Sequence, residues 1–401
     1  MSKDHFIIVV YYFGSAELTG SRRWREMAQL LREHGKVTVV CADGDRGQWD
    51  DIKIVHLPDR GALDAPSVFA GRSRDRALTQ WVRRVVSSFL FWPDRQKAWS
   101  RRAVGWLGSL LDTQTRNIVI TSGPIFSVHS EMQRWVVRNP GRVHWVMDFR
   151  DLWTNEIAPG LQRRMPSFLT TLERPIEQHC HDTADLVTAI GKGIARLLGN
   201  DFGSRPKVLY NGYMKIEESP PIETSEPISI RYLGTIIPGL RSPQLLFQAA
   251  MELRLTTKAV RFEFWCNDPG RVLREAAAVG VAGLVNCNAP VSQEEARRLA
   301  NTAGANVILN ALVPEADQVV TGKVFELIAA GRPILAVTGQ GSELWNILES
   351  CGSKHSIWNL ETACESLQAL LEKNLSSPAD PEGRFSRKHA VETLIGAIAP
   401  Q

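Results

Sequence analysis

Closely spaced cysteines of the kind that hold metals or disulfides are missing from this sequence. Its six cysteines are scattered, and no C-x-x-C spacing occurs among them. Zinc sites and disulfide frameworks both depend on such spacing or on regular pairing. We therefore expect a reducing compartment, no zinc site and no disulfide framework. The cysteines are Cys41, Cys180, Cys266, Cys287, Cys351 and Cys364.

Long apolar runs and targeting segments are also missing. No stretch approaches the run of about 20 apolar residues that a membrane-spanning helix needs. Residues 1–5 lead directly into a strand-like run at 6–12, without the pattern of a signal peptide. No short internal repeat or low-complexity tract occurs. We expect a cytoplasmic protein that contacts a membrane peripherally at most.

What the sequence does have is an uneven distribution of charge. The net charge is only +4, but residues 1–215 hold 31 Lys and Arg against 22 Asp and Glu, whereas residues 216–401 hold 16 against 21. Nine of the twelve tryptophans also fall within the first 153 residues. A chain of 401 residues is long for one compact domain. The sequence therefore predicts two domains with different partners.

A change in composition indicates where the domains meet. Residues 217–227 are acidic and contain proline without hydrophobic periodicity, which is typical of a linker. We predict a first domain at 1–215, a linker at 216–227 and a second domain at 228–375. Residues 376–401 contain a closing helix with apolar residues at helical spacing, which we predict to return to the first domain.

Strand-like apolar runs alternate with amphipathic helical stretches in both halves of the chain. In the first half, the strand at 6–12 is followed by a helix and then by a strand at 37–41. This βαβ opening predicts a parallel sheet with helices on both faces. A second β/α series starts at 228–233. The predicted fold class is therefore α/β, with two Rossmann-like doubly wound domains.

Two loops in the first half have patterns that are often associated with ligands. The loop at 14–21 follows the first strand, at the edge where such sheets bind ligands, but it has no G-x-G-x-x-G pattern. Asp43 and Asp45 form a D-x-D pattern after the second strand, within a sequence that has the composition of an ordinary turn. His179 and His181 are two residues apart in a helix and point to different faces. We therefore predict neither dinucleotide binding nor a metal site.

The most basic part of the chain is the segment 72–106, with nine Arg and Lys against two Asp. A basic segment rich in aromatics suits an anionic membrane surface or a lipid-linked acceptor. It is equally consistent with a helical face packed by its aromatic residues. RNA binding has no supporting motif, so we predict no nucleic-acid partner. The interleaved residues are Arg83, Arg84, Arg95, Lys97, Arg101 and Arg102 with Trp81, Phe89, Phe91, Trp92, Trp99 and Trp106.

Two buried strands of the first half run directly into polar loops. The strand at 118–121 leads into Ser122 and Gly123, and the strand at 143–147 leads into the sequence Asp-Phe-Arg-Asp-Leu-Trp at 148–153. Charged residues directly after a core strand cost free energy unless they serve a site or pair with each other. Both interpretations stay open, namely ligand-binding residues or a structural Asp–Arg pair.

The stretch 321–333 reads as a short helix with a defined start and stop. Thr321 can cap its beginning, Gly331 can adopt the left-handed conformation after its end, and Pro333 prevents its continuation. Lys323 and Glu326 lie three residues apart on one face of the first turn. A cation and a carboxylate beside free backbone N–H groups suit a ligand with phosphates and hydroxyls, such as a nucleotide sugar. The alternative is an exposed salt bridge between the two side chains.

These stretches together resemble glycosyltransferase family 4, and the resemblance extends over nearly the whole chain. The strongest piece is the K-x-x-E…G-x-P pattern from Lys323 to Pro333. The other pieces, in chain order, are Gly20-Ser21-Arg22, Pro93-Asp94 with Trp99 and Ala103, Thr121-Ser122-Gly123-Pro124, residues 148–153, Leu209-Tyr210-Asn211-Gly212 and Tyr232-Leu233-Gly234-Thr235. Bacterial enzymes that build exopolysaccharide or O-antigen chains are the most similar members.

The resemblance implies the GT-B fold, in which two Rossmann-like domains face each other across a cleft. It also implies transfer of a sugar from a nucleotide diphosphate, such as a UDP- or GDP-linked sugar, to a glycan or lipid-linked acceptor. The anomeric configuration would be retained, without a metal or other cofactor.

Site residues are implied by the same motifs. Glu326 matches the carboxylate that accepts hydrogen bonds from the donor ribose, and Lys323 and Arg241 match cations at the pyrophosphate. The expected donor-binding residues are Gly20, Gly234, Thr235, Arg241, Thr321, Gly322, Lys323 and Glu326. The expected catalytic residues are Asp148, Arg150, Asp151 and Lys323, and the expected acceptor-side residues are Ser122, Gly123 and Trp153.

Two positions depart from the pattern of the family. Many relatives carry a carboxylate eight residues before the one that matches Glu326, where this chain has Gln318. A second common cation, directly after Gly234, is replaced by Thr235. These departures leave open a relative that binds nucleotide sugars without turnover. A sugar-nucleotide epimerase is a second alternative because it can share the same two-domain fold, although the basic aromatic segment argues against it.

Overall fold

The protein divides into two compact units in this computed structural model, which describes residues 4–14, 19–43, 49–59, 94–154, 167–216, 226–318 and 320–399. Residues 1–209 and 390–401 form the first unit, and residues 210–389 form the second. Most of the predicted linker lies outside the described residues.

The first unit is built on a seven-stranded parallel sheet with the strand order β3-β2-β1-β4-β5-β6-β7. The order reverses between β1 and β4, so the loops after these two strands diverge to opposite faces. The strands are β1 (Asp4–Val9), β2 (Gly35–Cys41), β3 (Lys53–His56), β4 (Asn117–Ser122), β5 (His144–Phe149), β6 (Leu186–Ala189) and β7 (Lys207–Val208).

Helices cover both faces of this sheet, which explains why its central strands are almost entirely apolar. In β1, for example, Phe6, Ile7 and Ile8 have no exposed surface. The helices are α1 (Thr19–Leu31), α2 (Lys97–Gly105), α3 (Leu107–Leu110), α4 (Ser127–Arg138), α5 (Ser167–Thr183) and α6 (Lys192–Phe202). The last described helix, Arg387–Ile398, packs Leu394 and Ile398 into the same core as Phe6 and Trp24.

The second unit contains a six-stranded parallel sheet with the order β10-β9-β8-β11-β12-β13. Its order reverses between β8 and β11. The strands are β8 (Ile228–Gly234), β9 (Val260–Cys266), β10 (Val285–Asn288), β11 (Ala305–Leu309), β12 (Ile334–Val337) and β13 (Ser356–Ile357).

Helices again pack on both faces of the second sheet and form two separate apolar clusters. These helices are α7 (Gln244–Glu252), α8 (Pro269–Val279), α9 (Gln293–Asn301), α10 (Lys323–Ala329), α11 (Glu343–Ser350) and α12 (Leu360–Leu371). The closing helix Arg387–Ile398, which packs in the first unit, is labelled α13. The predicted α/β fold class with two doubly wound sheets is confirmed.

Two edge strands were not predicted, because each is short and lies at the border of its sheet. The strand β3 has four residues, of which none is fully buried, and β13 has only two. Strands of this length leave little periodicity to recognise. Among the described residues, no helix combines the length and apolarity needed to cross a bilayer.

Candidate functional site

The point where the strand order reverses in the second unit holds most of the predicted donor-binding residues. Gly234 ends β8, and the segment after β11 leads through a 3-10 helix at Pro314–Gln318 into α10. Ligands in open α/β sheets bind where loops diverge in this way. Gly234, Thr235, Arg241, Gly322 and Lys323 all lie on these two connections, and Thr235 is exposed.

Lys323 is folded back against the end of β8. Its ammonium group lies over the ring of Tyr232, with Nζ 5.3 Å from the ring centroid. A Cβ atom at position 234 would overlap this nitrogen, so the close approach depends on Gly234. The aromatic face favours a cation that has lost part of its hydration.

Arg241 supplies a second positive charge next to Lys323. A tight turn presents it, because its backbone N–H donates to the carbonyl of Ile237 at 2.9 Å. Burial, together with the positive charge of Arg241, lowers the pKa of Lys323 to about 8. In the described part of the chain, neither cation takes part in an ion pair. The two charges repel each other, and an anion bound between them would relieve the repulsion.

Helix α10 holds Lys323 and Glu326 on its less buried side. Val324, Phe325, Leu327 and Ile328 anchor the opposite side in the core. The predicted cap by Thr321 is wrong, because the helix begins after Gly322 and has no side-chain cap. Gly331 has the predicted left-handed conformation, with φ at +61°. The alternative of a Lys323–Glu326 salt bridge does not occur among the described residues.

Asp317 is a carboxylate at this edge that the sequence analysis did not identify. It precedes Gln318 in the 3-10 helix, and its Oδ1 is buried without a hydrogen-bond partner among the described residues. A Cβ atom at Gly339, in the loop after β12, would overlap the same oxygen. Burial raises the pKa of Asp317, and the neighbouring Glu315 raises it further. The glycine directly after β12 was the only signal in the sequence.

At the corresponding edge of the first unit, Asp148 is fully enclosed by protein partners. Its carboxylate is 1% exposed and accepts hydrogen bonds from Arg23 at 2.7 Å, Ser122 at 2.6 Å and Thr188 at 2.8 Å. Burial alone would raise the pKa of Asp148, but Arg23 and the two hydroxyls keep it below the ordinary value. Asp148 thus ties α1, β4 and β6 to the end of β5. A structural Asp–Arg pair exists here, although Arg23 and not Arg150 is the partner.

The other predicted residues of this edge lie after β4, after β5 and at the start of α1. Gly123 follows β4 and donates its N–H to the Asp148 carbonyl at 3.1 Å. Arg150 is half-buried and Asp151 is exposed. Trp153 is buried, and its ring stacks on Phe126 with the centroids 5.3 Å apart. Gly20 is the second residue of α1, in the same turn as Arg23.

The loop after β1 is held by the first residue of the D-x-D pattern. Asp43 accepts hydrogen bonds from the backbone N–H groups of Phe13 at 2.6 Å and Gly14 at 3.4 Å. Asp45 lies outside the described residues. Asp43 therefore holds the loop after β1, and the turn predicted from its own sequence lies mostly outside the described residues. Among the described residues, no cluster of His, Cys, Asp or Glu could hold a metal ion.

Only the last part of the basic segment 72–106, from residue 94 onward, is described. Trp99 has no exposed surface and donates its indole N–H to the carbonyl of Leu57, so it belongs to the core. Trp106 is 50% exposed, and the side chain of Arg101 is 70% exposed. The packed interpretation is thus confirmed for Trp99, whereas contact of Trp106 and Arg101 with a membrane stays a prediction.

Solved structures with the same fold include both transferases and an epimerase. The chain is similar to the apo form of the lipopolysaccharide outer core galactosyltransferase WaaB, with 15% identity, a TM-score of 0.57 and coverage of 98% of this chain and 99% of that one. It is similar to a glycosyltransferase from Rickettsia africae ESF-5, with 11% identity, a TM-score of 0.59 and coverage of 99% and 94%. It is also similar to a UDP-N-acetylglucosamine 2-epimerase, with 12% identity, a TM-score of 0.51 and coverage of 98% and 96%.

These similarities show the fold alone, which is the GT-B fold that the sequence predicted. No protein-family model matches the sequence, and no curated protein matches it.

The Arg23–Asp148 pair should dominate the stability of the first unit. Replacing Arg23 by Met leaves a buried carboxylate without its cation, and we expect a loss of about 3–5 kcal/mol in the free energy of unfolding, measured by urea titration. The matched control is Arg32→Met, directly after the same helix, which removes only an exposed pair with Asp51 and should cost about 1 kcal/mol or less. Equal losses in the two variants would contradict the assignment.

Proposed function

We propose that this protein is a glycosyltransferase that takes a sugar from a nucleotide diphosphate donor and transfers it to a glycan or lipid-linked acceptor. The observation that supports this most directly is a pair of cations at the switch point of the second sheet, Lys323 and Arg241. Neither takes part in an ion pair with another described residue. A diphosphate is the anion whose charge and length suit two such cations beside a helix start. The GT-B fold is consistent with this function.

The same two cations suit departure of the nucleotide diphosphate. Negative charge develops on the leaving phosphate as the glycosidic bond breaks, and cations that are already in place stabilise it without reorganisation. We propose that Lys323 and Arg241 perform this role, so that the reaction proceeds without a metal. Glu326, one turn along α10, would accept hydrogen bonds from the ribose hydroxyls, and Gly234 would allow the close approach of the phosphates.

The acceptor is proposed to bind at the carboxyl edge of the first sheet. Arg150 and Asp151 are the charged residues there that reach the surface. We propose that Ser122, Gly123 and Trp153 contribute to the same acceptor side. Because Asp148 is enclosed by Arg23 and two hydroxyls, we assign it a positioning role. We propose retention of configuration, with the departing phosphate accepting the proton of the attacking acceptor hydroxyl on the same face of the sugar.

A sugar-nucleotide epimerase is the second candidate, because an epimerase shares the fold. A thermal-shift screen across UDP, GDP, dTDP and CMP sugars should identify the donor. Incubating that donor with and without bacterial glycolipid acceptors then separates the two functions. A transferase consumes the donor only when an acceptor is present, whereas an epimerase changes the sugar without one.

Removing either predicted contact of α10 should weaken nucleotide binding. We expect Lys323→Ala and Glu326→Ala each to lose about 1.5–3 kcal/mol of binding free energy for the identified nucleotide diphosphate, roughly a 10- to 150-fold rise in Kd by calorimetry. Lys354→Ala, an exposed lysine of the same unit, is the matched control and should bind like the wild type. Unchanged affinity in either variant would remove its residue from the site.

Nucleotide affinity should also depend on pH in a way that identifies Lys323. Because the pKa of Lys323 is lowered to about 8, it carries its charge below that pH and loses it above. We therefore expect the Kd to rise several-fold between pH 7 and pH 9 in the wild type. The same series on Lys323→Ala should show a weaker dependence, and identical slopes would show that another group titrates.

We also propose a peripheral contact between the segment 72–106 and anionic membranes. Sedimentation with phosphatidylglycerol vesicles should recover more protein than with phosphatidylcholine vesicles, and about 0.5 M salt should abolish the difference because it screens charge. The double variant Arg83→Glu/Arg84→Glu should lose most of this binding, whereas Lys258→Glu in the second unit should retain it. Equal recovery from both vesicle types would exclude the membrane contact.

A further inference from the structure

Helix α5 places two buried glutamates beneath the polar segment that follows β5. Glu173 and Glu177 are one turn apart on the same side of the helix, and their exposed fractions are 0% and 1%. Burying a carboxylate costs several kcal/mol unless it is compensated, so two in neighbouring turns require a specific reason. The proposed reaction gives neither of them a direct role.

Both glutamates hold the end of the segment 148–154. Glu173 accepts the indole N–H of Trp153 at 2.7 Å. A single oxygen of Glu177, Oε2, accepts both the backbone N–H of Thr154 at 3.1 Å and its hydroxyl group. The other oxygen, Oε1, is buried and has no hydrogen-bond partner among the described residues.

The beginning of the same segment is held just as firmly. Asp148 is fixed by Arg23, Ser122 and Thr188, as described above. Between the two ends, Arg150 is half-buried and Asp151 is exposed. The charged residues that reach the surface are therefore carried by a short bridge whose two ends are both anchored in the core.

We infer that Glu173 and Glu177 are positioning residues, which hold Arg150 and Asp151 in place for the acceptor through Trp153 and Thr154. This inference rests on the proposed function, since it assigns Arg150 and Asp151 to the acceptor. The rate of a reaction falls steeply when the groups that contact the substrate are displaced by a fraction of an ångström. Buried contacts at Trp153 and Thr154, two and three residues after Asp151, can therefore affect activity directly.

The protonation state of Glu177 determines whether its contact with Thr154 involves a carboxylate or a neutral carboxylic acid. Burial raises the pKa of Glu177 to about 8, with Glu173 raising it and the hydrogen bonds from Thr154 and the charge of Arg174 lowering it. His181 faces Glu177 at 4.0 Å, but burial lowers the pKa of His181 to about 4, so it is neutral. Cys180 on the same helix stays a thiol, because burial raises its pKa. At neutral pH, Glu177 thus keeps its proton, on the oxygen that Thr154 leaves unused.

A neutral anchor makes glutamine a close substitute. In Glu177→Gln, the amide oxygen can accept both bonds from Thr154 and the NH₂ group takes the place of the protonated oxygen. In Glu177→Ala, both bonds are lost. The matched control is Glu131→Ala in α4. It removes a buried glutamate of the same unit whose ion-pair partners, Arg134 at 2.7 Å and Arg101 at 3.8 Å, lie outside the segment.

The test combines hydrogen exchange with kinetics on the full-length protein. For Glu177→Ala we expect faster exchange in peptides covering 148–154 and a kcat at least tenfold lower, with the Kd for the donor nucleotide within twofold of the wild type. Glu177→Gln should stay within threefold of the wild type in all readouts. Glu131→Ala should lower Tm without changing exchange in 148–154 or kcat.

A pH series gives a second test that does not need the alanine variant. Because the pKa of Glu177 in the folded state lies above its ordinary value of 4.5, its contribution to stability is present at low pH and is lost as pH rises from about 4.5 to about 8. The Tm of Glu177→Gln relative to the wild type should therefore increase from pH 5 to pH 8 and then stay constant.

Three results would overturn the inference. The first is unchanged hydrogen exchange in 148–154 for Glu177→Ala. The second is faster exchange in that variant with an unchanged kcat. The third is a Glu177→Gln variant whose exchange and kcat change as much as those of Glu177→Ala. Failure of the wild type to transfer sugar from any donor is a different result, because it would overturn the proposed function and the inference together.

Discussion

Two positive charges that are held close together, with no carboxylate paired to either of them in the described part of the chain, set the main constraint on the second unit. Lys323 and Arg241 repel each other, and Lys323 also gives up part of its hydration above Tyr232. Such an arrangement costs stability in the free protein, and it persists because the surrounding fold is rigid. Gly234 leaves the space for it, and the buried side of α10 prevents the lysine from moving away.

The first unit solves the opposite problem, the burial of negative charge. Asp148 is compensated by a buried guanidinium, whereas Glu177 is compensated by keeping its proton. Both solutions serve the same short segment after β5. The carboxyl edges of the two sheets therefore differ, with two neighbouring cations in the second unit and buried acids that hold a polar segment in the first.

The central part of the fold was predictable because local sequence patterns, such as apolar runs and helix-ending glycines, determine it. Runs of Val, Ile and Phe identified the central strands, and Gly331 marked the end of α10 because a left-handed residue was needed there. Arg23 was not identified as the partner of Asp148, since the two are 125 residues apart and a tertiary ion pair leaves no periodic signal. The ring of Tyr232 beneath Lys323 was missed for the same reason. The donor and acceptor roles stay predictions, because residue identity does not fix the ligand.

The first unit is discontinuous in the sequence, which affects how the chain can fold during synthesis. Its core contains Phe6 and Trp24 together with Leu394 and Ile398, and the whole second unit, residues 210–389, is made in between. At about 5–20 residues per second, the first unit waits on the order of 10–40 s for its closing helix. Until then the apolar groove for Leu394 and Ile398 is open to other chains. Chaperone capture of the nascent protein would therefore be concentrated on its amino-terminal half.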